Sequence, residues 1–244
     1  MGERTQILVN VHLSNERYAF GTVIHYQWGA GITMLLDAID IIRSLPSPYM
    51  LKYDDDDEKK FKYLDSVLKS QDFEIRNPQV YRNLYKHILS GVHHGGKNDY
   101  YDLDQIQDLL KKHPEDSDDR ETLLYHLNDS LCARLDDFYL TCDNNDGYMI
   151  IDAAYLNNRE IEVKLGFGVE ADPFADDDKR KDTFKFLSFE DFCNQPVYKS
   201  SCNEDFQAGY KLLLRSIGCT FMNASHENYV LEVKRQRKSL NLAK

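Results

Sequence analysis

Ile7, Val9, Val11 and Leu13 alternate with more polar neighbours, the two-residue period of a strand with one buried face. Ser14-Asn15-Glu16 offers a turn. Residues 19–28, rich in β-branched and aromatic side chains, predict a second strand, so the chain opens as a β-hairpin. Gly29-Ala30-Gly31 interrupts that strand. The period then changes to that of a helix over 33–45, with Met34, Leu35, Ala38, Ile39, Ile42 and Leu45 on one stripe, and Pro46 and Pro48 end it.

Downstream, Phe61, Leu64, Val67 and Leu68 predict a helix entered through an acidic run, a placement that the helix dipole favours. Asn77-Pro78 supplies a cap and a first helical residue for another, with Val80, Tyr81, Leu84, Tyr85, Ile88 and Leu89 as its apolar face and Gly91 as its end. His93-His94-Gly95-Gly96 reads as a loop. A helix over 102–112 is stopped by Pro114, and another starts near Ser117. Residues 138–141, 149–156 and 159–165 predict a β-meander with turns at 144–147 and at Asn157-Asn158, since Asn tolerates the positive φ of a tight hairpin turn. A Phe-rich segment follows, then a helix over 204–217 ended by Gly218, and a last short strand over 229–233.

These elements predict an α+β fold. Its antiparallel sheet is built from the N-terminal hairpin and the later meander, with a helical acidic insertion between them. Three segments result: residues 1–53, the hairpin and helix; 54–133, the helical acidic segment; and 134–244, the meander and C-terminal helix, packed with 1–53 as one compact unit.

Composition narrows the class. With 42% hydrophobic and 12% aromatic residues in 244, the chain has enough apolar material to bury a core. No apolar run is long enough to span a bilayer, and the N-terminus lacks the pattern of a signal peptide, so a soluble cytoplasmic protein is expected. The five cysteines (Cys132, Cys142, Cys193, Cys202, Cys219) are odd in number and form no Cys-x-x-Cys pair, which predicts free thiols. The net charge of −11 is unevenly placed. Residues 1–53 are balanced, whereas residues 99–146 carry 14 acids against 4 bases, and the tail turns basic at Lys234, Arg235, Arg237, Lys238 and Lys244.

Candidate chemistry is sparse. Asp152 followed by Glu162-Val163-Lys164 has the D…E-x-K order of metal-dependent, restriction-type nucleases, in which carboxylates hold a divalent ion and Lys supports the attacking water. With Asn157-Asn158 as a two-residue turn, however, Asp152 faces Val163, and Glu162 and Lys164 point to the other side of the sheet. That register also places Ile150, Ala154, Ile161, Val163 and Leu165 together on the core face, and it argues against catalysis. Asp143-Asn144-Asn145-Asp146-Gly147 imitates a calcium loop, but its Gly stands fifth instead of sixth and the closing Glu is missing. His93 and His94, adjacent on a loop, lack a spacing that converges on one ion. His12 and His25 lie on predicted strands, where a core role serves as well as an acid–base one. No phosphate loop, dinucleotide fingerprint or nucleophile elbow is present, and no cofactor is expected.

The acids are clustered with few interleaved Lys, unlike a surface that serves only solubility. Asp54, Asp55, Asp56, Asp57, Asp99, Asp102, Asp104, Asp108, Glu115, Asp116, Asp118 and Asp119 are the candidates to imitate the phosphates of DNA in a basic channel.

The opening Met1-Gly2-Glu3-Arg4-Thr5-Gln6-Ile7 and the strand end His25-Tyr26-Gln27-Trp28-Gly29 resemble a group of small phage-encoded proteins that begin with an M-G-x-R-x-x-I hairpin. Residues 147–165 look like the closing strands of that group. In composition the chain is also similar to acidic phage early proteins that inhibit host RNA polymerase, some as DNA mimics. This resemblance implies a binding protein and no enzyme, with host RNA polymerase or another DNA-binding enzyme as partner, no membrane, and no direct nucleic-acid binding except through the basic tail. The alternatives are the D…E-x-K nuclease and a structural or regulatory protein with a solvated acidic face.

Overall fold

The computed structural model describes residues 4–13, 18–26, 29, 31–47, 84, 86–88, 90–94, 111–112, 146–156, 160–170 and 184–222. The predicted helix around 61–68, the strands at 138–141 and 229–233, all twelve acidic candidates and the basic tail lie outside these residues.

The opening hairpin forms as expected. Strand β1 (Thr5–Leu13) pairs antiparallel with β2 (Tyr18–Tyr26), from Thr5 opposite Tyr26 to Leu13 opposite Tyr18. Helix α1 (Thr33–Ser44) follows, with Arg43 in its last turn to complement the dipole, and it stops before Pro46. Later come β3 (Tyr148–Tyr155), β4 (Ile161–Glu170), β5 (Phe184–Leu187), the short helix α2 (Phe189–Cys193), α3 (Glu204–Ser216) and β6 (Cys219–Phe221). Ser188 caps α2 by accepting from the Asp191 amide at 3.0 Å, and Asn203 caps α3 by accepting from the Phe206 amide at 2.9 Å.

The sheet joins the hairpin to the meander in the order β2-β1-β3-β4-β5, with β6 beside β4. It is mixed, which corrects the antiparallel expectation: β1 runs parallel to β3, and β4 parallel to β6. A parallel pair needs a long connection between its strands, and the 134 residues between β1 and β3 supply one.

One face of the sheet carries the core. Ile7, Val9, Val11, Met149, Ile151, Ala153, Tyr155, Val163, Leu165 and Phe167 all lie on it and are buried. The buried stripe of α1 belongs to the same cluster, as do Phe189 and Phe192 of α2 and Tyr210 and Leu214 of α3. Phe167 meets Phe189 and Phe192 with ring centroids 5.2 and 5.1 Å apart. Two buried hydroxyls stitch elements together: Tyr210 donates to the Leu35 carbonyl and Tyr155 to that of Pro46, each at 2.9 Å. The predicted helix ahead of Gly91 is present around Leu84 and Ile88, both fully buried. Gly91 is needed there, because a Cβ would lie 2.5 Å from the Ile41 backbone of α1.

The opposite face changes character along its length. At one end Leu8, Tyr148 and Ile150 are fully buried, and Gly166 and Gly168 leave room for the Tyr148 ring and Met222. Toward the other end the face opens, through half-buried Asp152, Ala154 and Lys164 to exposed Glu162.

Candidate functional site

The β3–β4 register differs from the expected one by a single residue. Tyr155 stands opposite Ile161, and the Leu156 amide donates to the Glu160 carbonyl at 3.1 Å, so three residues close the hairpin where two were expected. Asp152 therefore faces Lys164 instead of Val163. The strand sequence explains both the error and its correction. In YMIIDAAY every position but Asp152 is apolar, so either alternate set serves as a core face. The observed register brings Met149, Ile151, Ala153 and Tyr155 beside Phe167, Leu165, Val163 and Ile161, leaving the polar groups together on the other side. Ile150 and Ala154, expected with Val163 and Leu165, lie on the opposite face.

That shift assembles a polar group that the expected register had split. Asp152, Glu162 and Lys164 share one face, with Lys164 directly across from Asp152 and Glu162 on its diagonal. Lys164 Nζ lies 3.2 Å from Glu162 Oε1, and both side chains remain nearly half exposed. On the other flank β1 contributes Asn10, the parallel neighbour of Asp152. Its Nδ2 donates to Asp152 Oδ1 at 2.7 Å.

Among the described residues no three His, Cys, Asp or Glu side chains come together as metal ligands. The donor set on this face is two carboxylates. It suits a hard ion such as Mg²⁺, which retains several waters and is bound through one or two carboxylates plus substrate phosphate.

The other sequence candidates resolve differently. Asp146 Oδ2 accepts from the Arg4 amide at 2.9 Å, which ties the start of β3 to that of β1. Asp143, Asn144 and Asn145 lie outside the described residues. His93 and His94 are held by their backbones: both amides donate to Asp37 Oδ1 at 2.9 Å, while Tyr26 donates to Asp37 Oδ2 at 2.7 Å. Burial, reinforced by the Asp37 charge, pushes ionisation of the Tyr26 hydroxyl far up. His94 Nε2 also approaches Asp40 Oδ2 at 3.8 Å. Sequence reasoning missed Asp37; the available signal was a lone acid on the buried stripe of α1. His12 and His25 occupy strand positions opposite Ala19 and Gln6.

Cys193, Cys202 and Cys219 are free and buried, while Cys132 and Cys142 lie outside the described residues. A thiol–thiol hydrogen bond, with burial, raises Cys193, and the same bond lowers Cys202; burial pushes Cys219 up to about 12. Among the described residues no helix is long and apolar enough to cross a membrane. Comparison with protein-family models, curated proteins and solved structures gives no match.

Proposed function

We propose that this chain hydrolyses phosphodiester bonds in nucleic acid with the help of a divalent metal, using Asp152, Glu162 and Lys164. The observation that carries this reading is the β3–β4 register, which sets Lys164 opposite Asp152 and Glu162 on the same face. A bound Mg²⁺ or Mn²⁺ supplies a water activated at neutral pH and offsets charge developing on the phosphate. Asp152 and Glu162 are the residues to hold it. Lys164, already paired with Glu162, would bring a second positive charge beside these carboxylates. That charge is needed, since a chain with net charge −11 has little general attraction for a nucleic-acid backbone.

The test is cleavage of single- and double-stranded DNA and RNA by purified protein with magnesium or manganese chloride. Cleavage should require the ion and fall by about a hundredfold or more in Asp152→Asn, Glu162→Gln and Lys164→Met, with unfolding temperatures preserved. No cleavage of any of these substrates with either ion would sink the reading.

A second reading is favoured by the 14 acids against 4 bases between residues 99 and 146. The run at Asp54, Asp55, Asp56 and Asp57, with Asp99, Asp102, Asp104, Asp108, Glu115, Asp116, Asp118 and Asp119, would act as phosphate surrogates. The chain would then be a phage-type host-takeover protein occupying the DNA channel of host RNA polymerase. Its inhibition of transcription should weaken with salt and with reversal of Asp102, Asp104, Asp116 and Asp118 to Lys. Equal, salt-insensitive inhibition by both proteins would remove this reading. If both tests fail, a structural or regulatory role with a solvated acidic face remains.

A further inference from the structure

Asn10 is fully buried, on the same sheet face as the apolar pair Leu8 and Ile150. A primary amide in such a place is costly unless hydrogen bonds offset its burial. Its Nδ2 donates to Asp152 Oδ1, at 2.7 Å across the β1–β3 ladder and 142 residues away along the chain. Asp152 is thereby flanked on two strands, by the Asn10 amide on β1 and by Lys164 on β4.

We infer that Asn10 is the positioning residue of this centre: its amide fixes the rotamer of Asp152 and so the direction in which that carboxylate meets a divalent ion. The inference rests on reading Asp152 as a metal-holding carboxylate. The chemistry of the amide suits the task. A Lys or Arg at position 10 would pair with Asp152 and compete with the cation, whereas Asn donates one hydrogen bond and leaves the full negative charge in place. Asn also does not titrate, so the hold on Asp152 is the same at any pH at which the carboxylate is ionised. Outer partners that orient metal ligands commonly govern ten- to a hundredfold in affinity.

The experiment measures Mn²⁺ affinity without nucleic acid, by the electron paramagnetic resonance signal of free manganese chloride, for wild type, Asn10→Leu, Asp152→Asn and the double variant. Thermal unfolding is followed in parallel, and Asn10→Val replaces Asn10→Leu should the latter not fold. Asn10→Leu should weaken Mn²⁺ binding about ten- to a hundredfold. In the Asp152→Asn background it should add nothing, because the carboxylate it orients is gone. A purely structural Asn10 would lower the unfolding temperature in both backgrounds and leave manganese affinity alone. If wild type binds manganese and cleaves nucleic acid, and Asn10→Leu binds within twofold of it, Asn10 has no positioning role and the centre stands. If wild type binds no manganese, both the centre and the role of Asn10 are wrong.

Discussion

Asp152 and Lys164 stand directly opposite each other on antiparallel strands, with Glu162 ion-paired to Lys164 one diagonal step away. Had the hairpin closed one residue tighter, Lys164 and Glu162 would lie on the core side, among Met149, Ile151 and Ala153. Two charged side chains in that layer would cost several kcal/mol, whereas Val163 and Leu165 fill it with apolar surface. The packing of the core and the assembly of the polar face are thus one event, set by one register.

The register can be trapped chemically. Ala154 pairs with Glu162, so Ala154→Cys with Glu162→Cys should form a disulfide on mild oxidation, since opposed antiparallel residues fall within disulfide reach. Ala154→Cys with Ile161→Cys, the pair that the two-residue turn would place face to face, should not. Peptide mapping under non-reducing conditions reads the difference; preferential cross-linking of the second pair would mean that the register is shifted.

Asp37 should be a strong stability determinant. Its buried carboxylate accepts from Tyr26 and from the amides of His93 and His94. Asp37→Ala leaves the buried Tyr26 hydroxyl and two part-buried amides without that acceptor and should cost about 2–4 kcal/mol, whereas Tyr26→Phe, which deletes a single donor, should cost about 1.5–3 kcal/mol. Urea unfolding midpoints give both. A loss below about 1 kcal/mol for Asp37→Ala would show that the anchor contributes little.

Two glycines should respond in opposite directions. Gly91→Ala places a Cβ 2.5 Å from the Ile41 backbone and should destabilise by about 1–3 kcal/mol as α1 and its neighbour separate. Gly209 lies within α3 with nothing within 4 Å of its would-be Cβ, so Gly209→Ala should stabilise by up to about 1 kcal/mol. Thermal unfolding of the two variants tests the pair; the same sign in both would contradict the packing described for one of them.

The Glu190–Lys211 pair links α2 to α3. The hydrogen bond from Lys211 is the main cause that holds the Glu190 carboxyl below its usual range. A lowered folded-state pKa contributes stability above the unfolded carboxyl's pKa, and that stability is lost as pH falls through the lowered value. Both groups are substantially exposed, so solvent screening keeps the contribution under about 1 kcal/mol. Lys211→Met should lose this small increment at pH 7 and match wild type in strong acid, as measured by denaturant midpoints across pH. A deficit that persists unchanged in acid would point to the Lys211 contact with the Phe189 ring instead.

Elements whose signals are local could be placed from the chain alone. Alternation drew the opening hairpin, a 3.6-residue stripe between Gly31 and Pro46 drew α1, and Gly218 closed α3 to within a residue. These are read from neighbours along the chain, and so they were legible. The site was legible only as residue types: Asp152, Glu162 and Lys164 stood out, but whether they met could not be read. In β3 both alternate faces are apolar apart from Asp152, so local pattern gave equal support to two registers, and only the fit of Met149, Ile151, Ala153 and Tyr155 to the layer beneath them chose one. The parallel pairing of β1 with β3 left no local mark, because what favours it is burial of both strands in the same core. Asn10 reached Asp152 by that pairing alone. Which side chains share a face was decided by long-range packing, since a one-residue slip costs nothing in local propensity and a great deal in buried charge.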